Sequence, residues 1–427
     1  MALTRGLCGI CALVLLAWLL STDRRRFPWK TVMGGMAMQW MLALLVLKTE
    51  TGRLIFDGLG HVVTAVLRGA DAGASFVFGP LAGGDAGVWW PAIAGIKIMT
   101  TIIIVAVLSA LGYHYGILQR IVSAMAWVMT RALGVSGAEA LSGAANVFLG
   151  QTEAPLLVRP YISSMTRSEI MALMTGGYAT VAAGVMAVYV ELLGQGDPQR
   201  MVATARHLMT ASLMSAPAAF VLAKIMLPER DTSQTAGSVK VTFQRETHSF
   251  IDAATSGASQ GMKLAINVLA MLIAFVALIT IVDVGLTALG KLAFMAPVVE
   301  AMGLEELNLD GLLGLLFAPI AYLIGADPGD IRAFGGLLGK AMATNELIAY
   351  SSLGELMRSG GLSERSAVIA TYSLCGFANI SSIGIQIGGI GSLAPDRRSD
   401  LVRLGPRAML AGAMACWMTG DIAGMLV

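Results

Sequence analysis

Long apolar runs separated by short polar segments dominate the chain and predict an all-α membrane protein. A helix that spans a bilayer needs about 20 mostly apolar residues. Some of the runs are shorter than this, so their ends must extend into flanking residues. The clearest runs cover residues 7–20, 32–46, 90–111, 208–227 and 264–284.

One polar stretch interrupts this pattern in the first half of the chain. Residues 144–161 (AANVFLGQTEAPLLVRPY) contain Gly150, Pro155 and Pro160, which are incompatible with one continuous helix. We expect a re-entrant hairpin here, followed by a spanning helix that is broken near Thr180. Broken helices at membrane depth persist only where protein or a cavity satisfies the freed backbone groups.

The second half repeats the same order of elements, with a hairpin at residues 330–353 and a broken helix at residues 367–390. Three predicted spans separate the start of one unit from the start of the next, so the copies have opposite orientation, a pattern typical of secondary transporters. The fold prediction is therefore eight transmembrane helices, two re-entrant hairpins, inverted repeats and interfacial helices, one of them at residues 52–70. The predicted units are 1–88 (two scaffold helices and the interfacial helix), 89–227 (first repeat, hairpin about 134–162, broken helix about 167–193), 228–262 (cytoplasmic loop and interfacial segment) and 263–427 (second repeat, hairpin about 328–356, broken helix about 364–391).

Composition and charge exclude several classes of protein. The chain is 56% hydrophobic and only 13% charged, whereas soluble domains carry roughly 25% charge. Its four histidines show no spacing typical of a metal site or a catalytic triad, and no basic patch suggests nucleic acid binding. Cys8 and Cys11 have C-x-x-C spacing, which inside a spanning helix indicates packing rather than redox chemistry. If the chain has eight spans, all three clusters of Lys and Arg lie on the same side of the membrane, at 24–30, 230–263 and 397–407. Because positively charged loops are enriched on the cytoplasmic side, we expect this side to be cytoplasmic and both termini to be external.

The polar residues at membrane depth favour a neutral, hydroxyl-rich ligand. A carboxylate at the centre of a bilayer costs about 2.5–3.5 kcal/mol by insertion scales, so Glu153 and Glu346 are candidate functional groups. Carboxylates accept hydrogen bonds from sugar hydroxyls, and carboxamides both donate and accept. Only Arg159 and Lys340 lie nearby, which disfavours phosphates and carboxylates as substrates. A structural role remains the alternative for Arg159 and for isolated serines such as Ser381.

Three motifs in this order resemble those of the concentrative nucleoside transporters. They are GQTEAPLLVRPY at 150–161, NELIAY at 345–350 and CGFANISSIGI at 375–385. The resemblance covers essentially the whole chain and implies a homotrimer in the bacterial inner membrane. It implies that the protein is a secondary active importer of nucleosides. The resemblance implies neither an enzymatic activity nor a cofactor. In this sequence Lys340 lies five residues before Asn345, not the usual four, and Leu347 replaces a phenylalanine.

The resemblance also implies residue roles. Gln151, Thr152 and Glu153 would address the nucleobase, Glu346, Asn379 and Ser382 the ribose hydroxyls, and Phe377 and Val185 would line the pocket. A Na+ site would use Asn146, the Leu149 carbonyl, Thr152, Thr180 and the Val181 carbonyl, an oxygen-only set that suits a hard cation. Coupling to H+ and, less favoured, a polar-solute channel remain the alternatives to Na+ symport.

Overall fold

The computed structural model describes residues 2–82, 90–235 and 247–427, and in these ranges all regular structure is helical. Lys240 and Arg245, part of one predicted cytoplasmic cluster, lie outside the described residues, as does the boundary predicted at residues 88 and 89. In the first half the helices are α1 (Ala2–Leu19), α2 (Trp29–Lys48), α3 (Glu50–Phe78), α4 (Trp90–His114), α5 (Ile117–Leu133), α6 (Gly137–Asn146), α7 (Arg159–Ile162), α8 (Arg167–Ala179), α9 (Ala183–Gly194) and α10 (Pro198–Met226).

The second half is also helical. Its helices are α11 (Phe250–Gly290), α12 (Ala296–Ala301), α13 (Leu309–Ile324), α14 (Ile331–Ala343), α15 (Glu346–Ser359), α16 (Glu364–Ser373), α17 (Ile380–Leu393) and α18 (Arg398–Leu426). Short 3-10 turns lie at Gly79–Ala82, Ala154–Val158 and Pro395–Arg397.

Several helices are long and apolar enough to cross a membrane. Within the described ranges these are α2, α4, the α8–α9 pair, α10, α11 and α18, and α1, α13 and α17 are shorter apolar helices. The α8–α9 pair, α10 and α18 are mostly buried, whereas α4 and α11 pack against each other and have few fully buried residues in the ranges that the structure describes. The core therefore lies around α8, α10 and α18, and α4 and α11 form the periphery.

The same order of elements occurs twice. A helix is followed by a hairpin, a helix in two parts and a long helix, first from α5 to α10 and then from α13 to α18. We call residues 137–162 the first hairpin and residues 331–359 the second hairpin. The long helices α10 and α18 pack against each other, and each also contacts the two-part helices of both halves. This crossed packing brings the two helix breaks to the centre of the molecule.

The helices extend beyond several of the apolar runs. The helix predicted at 52–70 is α3, which continues to Phe78 and ends at Gly79, where φ is +57°. The α11 helix begins at Phe250, so residues 250–262 are helical and continuous with the apolar run at 264–284. The last helix, α18, begins at Arg398 and continues through the internal Pro406, which packing against the other helices tolerates.

Candidate functional site

The tip of the first hairpin lies at the first helix break. The α8 helix ends at Ala179, Thr180 is extended, and α9 begins at Ala183, so the break expected near Thr180 is observed. The Ala183 N–H donates to the Phe148 carbonyl at 3.1 Å, which joins the start of α9 to the hairpin tip. The break thus exchanges hydrogen bonds with the hairpin, which satisfies part of its freed backbone.

Asn379 organises the second break, between α16 and α17. It is the N-cap of α17, and its Oδ1 accepts from the Ser382 N–H at 2.8 Å and the Ser381 hydroxyl at 2.7 Å. A backbone N–H can only donate, which fixes the orientation of the Asn379 amide. Its Nδ2 therefore points the other way and donates to Glu346 at 2.9 Å.

Glu346 is the first residue of α15, and it is buried at the tip of the second hairpin. Its second carboxylate oxygen accepts from the Tyr189 hydroxyl at 3.0 Å. The Tyr189 ring stacks on Tyr350 with 4.1 Å between ring centroids, which holds the hydroxyl in place. Val185 lies one turn before Tyr189 on α9 and is therefore on the same helix face. The amino end of α15 also favours a negative charge at this point.

Gln151 connects the first hairpin to this cluster. Its Nε2 donates to the Ser382 hydroxyl at 3.1 Å, and its Oε1 accepts from Gln386 of α17 at 3.1 Å. With the Asn379 contacts, a continuous chain of hydrogen bonds runs from Gln386 to Glu346. The tips of both hairpins and the second helix break therefore share one polar network.

Two of the residues assigned to a cation site, Asn146 and Thr180, lie close to Gly176. Asn146 is buried, and neither side-chain polar atom has a hydrogen-bond partner among the residues that the structure describes. A Cβ placed at Gly176 would lie 3.3 Å from Asn146 Nδ2, and the Thr180 hydroxyl donates to the Gly176 carbonyl at 2.9 Å. Thr180 and Val181 are buried as well. Asn146 of the first hairpin and Thr180 of the first break therefore lie on either side of Gly176.

The other predicted site residues are more open. Glu153 is exposed and accepts from the Gly150 N–H at 3.1 Å within its own turn, so its environment differs from that of Glu346. Thr152 is partly buried, and a Cβ placed at Gly389 of α17 would lie 2.8 Å from its methyl carbon. Phe377 is partly buried within the second break.

The two basic residues near the hairpins lie in different surroundings. Lys340 forms an ion pair with Asp310 at 2.7 Å and donates to the Ser352 hydroxyl at 3.0 Å. These contacts connect α13 to both helices of the second hairpin, which gives Lys340 a structural role in this conformation. Arg159 is exposed at the start of α7.

A buried ion pair fixes the base of the first hairpin. Lys224 of α10 contacts Glu139 of α6 at 2.5 Å and donates to the Ser168 hydroxyl of α8 at 3.0 Å. Glu229 completes the cluster at 3.4 Å from the Lys224 ammonium group. Both members of the pair are almost completely buried, so each depends on the other for compensation of its charge.

The sequence reasoning missed two members of the polar network, Tyr189 and Gln386. Each lies in an apolar run of a broken helix, and a polar group inside such a run was the available signal. Tyr189 was missed because an aromatic residue in an apolar helix usually indicates packing.

Comparison with known proteins identifies the family. Residues 8–81 match the family model for the N-terminus of the Na+ dependent nucleoside transporters, and residues 207–424 match the model for their C-terminus. Residues 95–196 match a model described as a nucleoside recognition gate. The chain belongs to the concentrative nucleoside transporter family.

Bacterial and mammalian relatives support this assignment. The chain is 38% identical to an uncharacterized transporter of Haemophilus influenzae over 100% of its own length and 98% of the relative's. It is 35% identical to human solute carrier family 28 member 3 and 34% identical to the rat sodium/nucleoside cotransporter 1, each over 98% of this chain. It spans 59% and 63% of those two longer proteins. This concentrative nucleoside transporter is a multi-pass membrane protein and not an enzyme.

Solved structures of the family share the fold. The inward-facing, substrate-bound structure of CNTnw matches with a TM-score of 0.87 and 35% identity over 100% of this chain and 98% of that one. An outward-facing variant of CNTnw, 34% identical over the same shares of the two chains, matches with a TM-score of 0.86. The all-helical architecture of the concentrative nucleoside transporters is therefore shared by this chain.

Proposed function

We propose that this transporter imports nucleosides across the bacterial inner membrane by Na+ symport and alternating access. The observation that carries the proposal is the hydrogen-bonded network from Gln151 through Ser382 and Asn379 to Glu346. It lies at the helix breaks, where secondary transporters bind their substrates. Family membership and the Na+-dependent relatives support the same activity.

The network suits a nucleoside because it separates two kinds of contact. On the ribose side, the buried Glu346 carboxylate would accept hydrogen bonds from the ribose hydroxyls. Asn379 and the Ser382 hydroxyl would add further polar contacts on that side. At the first hairpin, Gln151, Thr152 and Glu153 would address the base. Phe377 and Val185 would supply the apolar walls against which the base and the sugar pack.

The coupling ion would bind between the first hairpin and the first break. Asn146 supports this assignment because its buried amide has no partner within the described ranges. The Leu149 and Val181 carbonyls and the hydroxyls of Thr152 and Thr180 would complete an oxygen-only set. Thr152 adjoins both ligands, so binding of one would pre-organise the site of the other.

We also propose the finer architecture. It has eight transmembrane helices, two re-entrant hairpins, and inverted repeats at 89–227 and 263–427 joined through 228–262, with residues 1–88 as scaffold. The exposed apolar faces of α4 and α11 would be covered by lipid and by two further copies in a homotrimer. Both chain termini would be external.

Alternating access would move the hairpins and broken helices together against the trimeric scaffold. The hydrogen bonds between the two hairpin tips and the second break support movement as one unit, since separating them would leave buried polar groups without partners.

The decisive experiment measures radiolabelled uridine uptake into proteoliposomes with an inward Na+ gradient or an inward H+ gradient. Protein-free vesicles and vesicles with equal ion concentrations on both sides are the controls. Accumulation with Na+ alone is the expected result. Accumulation with H+ alone would retain nucleoside transport and reject the Na+ site, and equilibration without accumulation would indicate a channel. If neither uridine nor a purine nucleoside enters under any gradient, the proposal is wrong.

A further inference from the structure

Gln386 is a buried amide whose position beside Gln151 has a consequence for base selectivity. It lies on α17, one turn after Ser382. Its Nε2 donates two hydrogen bonds, one to the Met174 carbonyl at 3.1 Å and one to Gln151 Oε1 at 3.1 Å. Both protons of the amide are therefore used.

These contacts fix the orientation of both amides. A backbone carbonyl such as that of Met174 can only accept, so the group of Gln386 that faces it must be the NH2. The same NH2 faces Gln151 and requires the carbonyl oxygen of Gln151 on that side. If the Gln151 amide were reversed, two NH2 groups would face each other at 3.1 Å. The NH2 of Gln151 therefore points towards Ser382 and the proposed substrate site, and one of its two protons is not used by the hydrogen bond to Ser382.

Stability alone would favour an apolar side chain at position 386. The Oε1 of Gln386 has no hydrogen-bond partner in the part of the chain that the structure describes, and the residue is completely buried. An unmatched buried acceptor destabilises the folded state. A leucine of similar size would remove that acceptor, so the effect of Gln386 on Gln151 explains the residue better than packing does.

The neighbouring helix provides the space for this contact. Gly177 of α8 lies opposite both amides, and a Cβ there would be 2.7 Å from Gln386 Nε2 and 3.0 Å from Gln151 Cβ. Any larger residue at position 177 would displace one of the two side chains.

The geometry points to Gln386 as a positioning residue that sets base selectivity by holding the Gln151 amide with its N–H towards the base. This inference rests on the proposed function, since it assumes that Gln151 faces the nucleobase. An N–H donor in a fixed place selects a base edge with an acceptor there. Uridine and cytidine test this directly, because position 4 of the base is a carbonyl acceptor in uridine and an amino donor in cytidine. Without Gln386, the Gln151 amide can turn and present either group.

The test compares Gln386→Leu with the wild type in binding of uridine and of cytidine to purified protein in detergent, by isothermal titration calorimetry. We expect the wild type to distinguish the two nucleosides by about tenfold or more, consistent with one mispaired hydrogen bond. In Gln386→Leu the ratio of the dissociation constants for cytidine and uridine should fall to about threefold or less. Gly177→Ala should reduce the ratio in the same direction, through displacement of the same pair.

Gln39→Leu is the matched control. Gln39 is also completely buried, donates to a backbone carbonyl of its own helix and has an unpartnered Oε1, but it lies on α2 outside the polar network. Its replacement should leave the ratio at the wild-type value. An unchanged ratio in Gln386→Leu, or a wild type that binds both nucleosides equally, would overturn the inference. Binding is measured without an ion gradient, so a failure of Na+ coupling would not affect this result, and a protein that binds no nucleoside would refute both proposals.

Discussion

Replacement of Glu346 by glutamine removes the buried carboxylate of the polar network with little change in shape. In the wild type one carboxylate oxygen accepts from Tyr189 at 3.0 Å and the other from Asn379 at 2.9 Å. The substituted amide keeps one oxygen, which can accept from Asn379. The Tyr189 hydroxyl can rotate and accept from the new NH2 group, so the variant should fold and assemble normally.

The expected loss follows from the contact with the ribose. A hydrogen bond to a charged group contributes about 1.5–3 kcal/mol, and each 1.4 kcal/mol changes an equilibrium constant about tenfold. If the carboxylate accepts from one ribose hydroxyl, Glu346→Gln should weaken uridine binding about 10- to 150-fold. Contacts with two hydroxyls would increase the loss further, and concentrative uptake should be abolished.

The assay measures binding of uridine, 2′-deoxyuridine and 3′-deoxyuridine to the purified wild type and variant, with size-exclusion chromatography as a check on assembly. The analogue that lacks the contacted hydroxyl should bind equally weakly to both proteins. Glu153→Gln is the matched control, because it makes the same chemical change at the proposed base side and should leave hydroxyl discrimination intact. A near-normal uridine affinity in Glu346→Gln, or an equal loss for all three ligands, would refute the role of Glu346 in ribose binding.

Three further predictions concern the ion site and the base of the first hairpin. Asn146→Ala should raise the Na+ concentration needed for half-maximal uptake by about tenfold or more, because an oxygen ligand is lost. Ser142→Ala is the control, since Ser142 lies one turn away and its hydroxyl donates to its own helix at 2.9 Å. Equal effects of the two substitutions would contradict the Asn146 assignment. Thr152→Ala should lower the apparent affinity for both Na+ and nucleoside in uptake assays, and an effect on one ligand alone would argue against shared coupling. Lys224→Met should destabilise the protein by about 3–5 kcal/mol, because Glu139 is left buried without its cation. The loss should be measurable as a lower melting temperature in detergent. An unchanged melting temperature would show that the ion pair contributes little to stability.

Local signals in the sequence predicted the breaks in the helices. Thr180 ends α8 in an extended conformation, and Asn379 caps α17 through its own side chain. Both breaks lie where the apolar runs contain glycines and small polar residues, which leave a helix at little cost. The interruption between α6 and α7 was also predictable, because Pro155 and Pro160 prevent a continuous helix.

Helix ends were predicted less well. The starts of α11 at Phe250 and of α18 at Arg398 lie in polar sequence. Hydropathy reports which residues contact lipid, and it does not distinguish the polar extension of a helix from a loop. At the start of α11 the end is set by a cap, because Ser249 accepts from the Asp252 N–H at 3.1 Å.

The sequence by itself determined the class of protein, the family, the order of elements and most of the polar residues at the helix breaks. These depend on composition, periodicity and short motifs, which are local properties. Only the tertiary structure decided which polar groups meet. The contacts of Gln386 with Gln151 and of Tyr189 with Glu346 join residues 235 and 157 positions apart. Such pairs form because α10 and α18 pack against each other and against the two-part helices of both halves. This packing involves residues far apart in the chain.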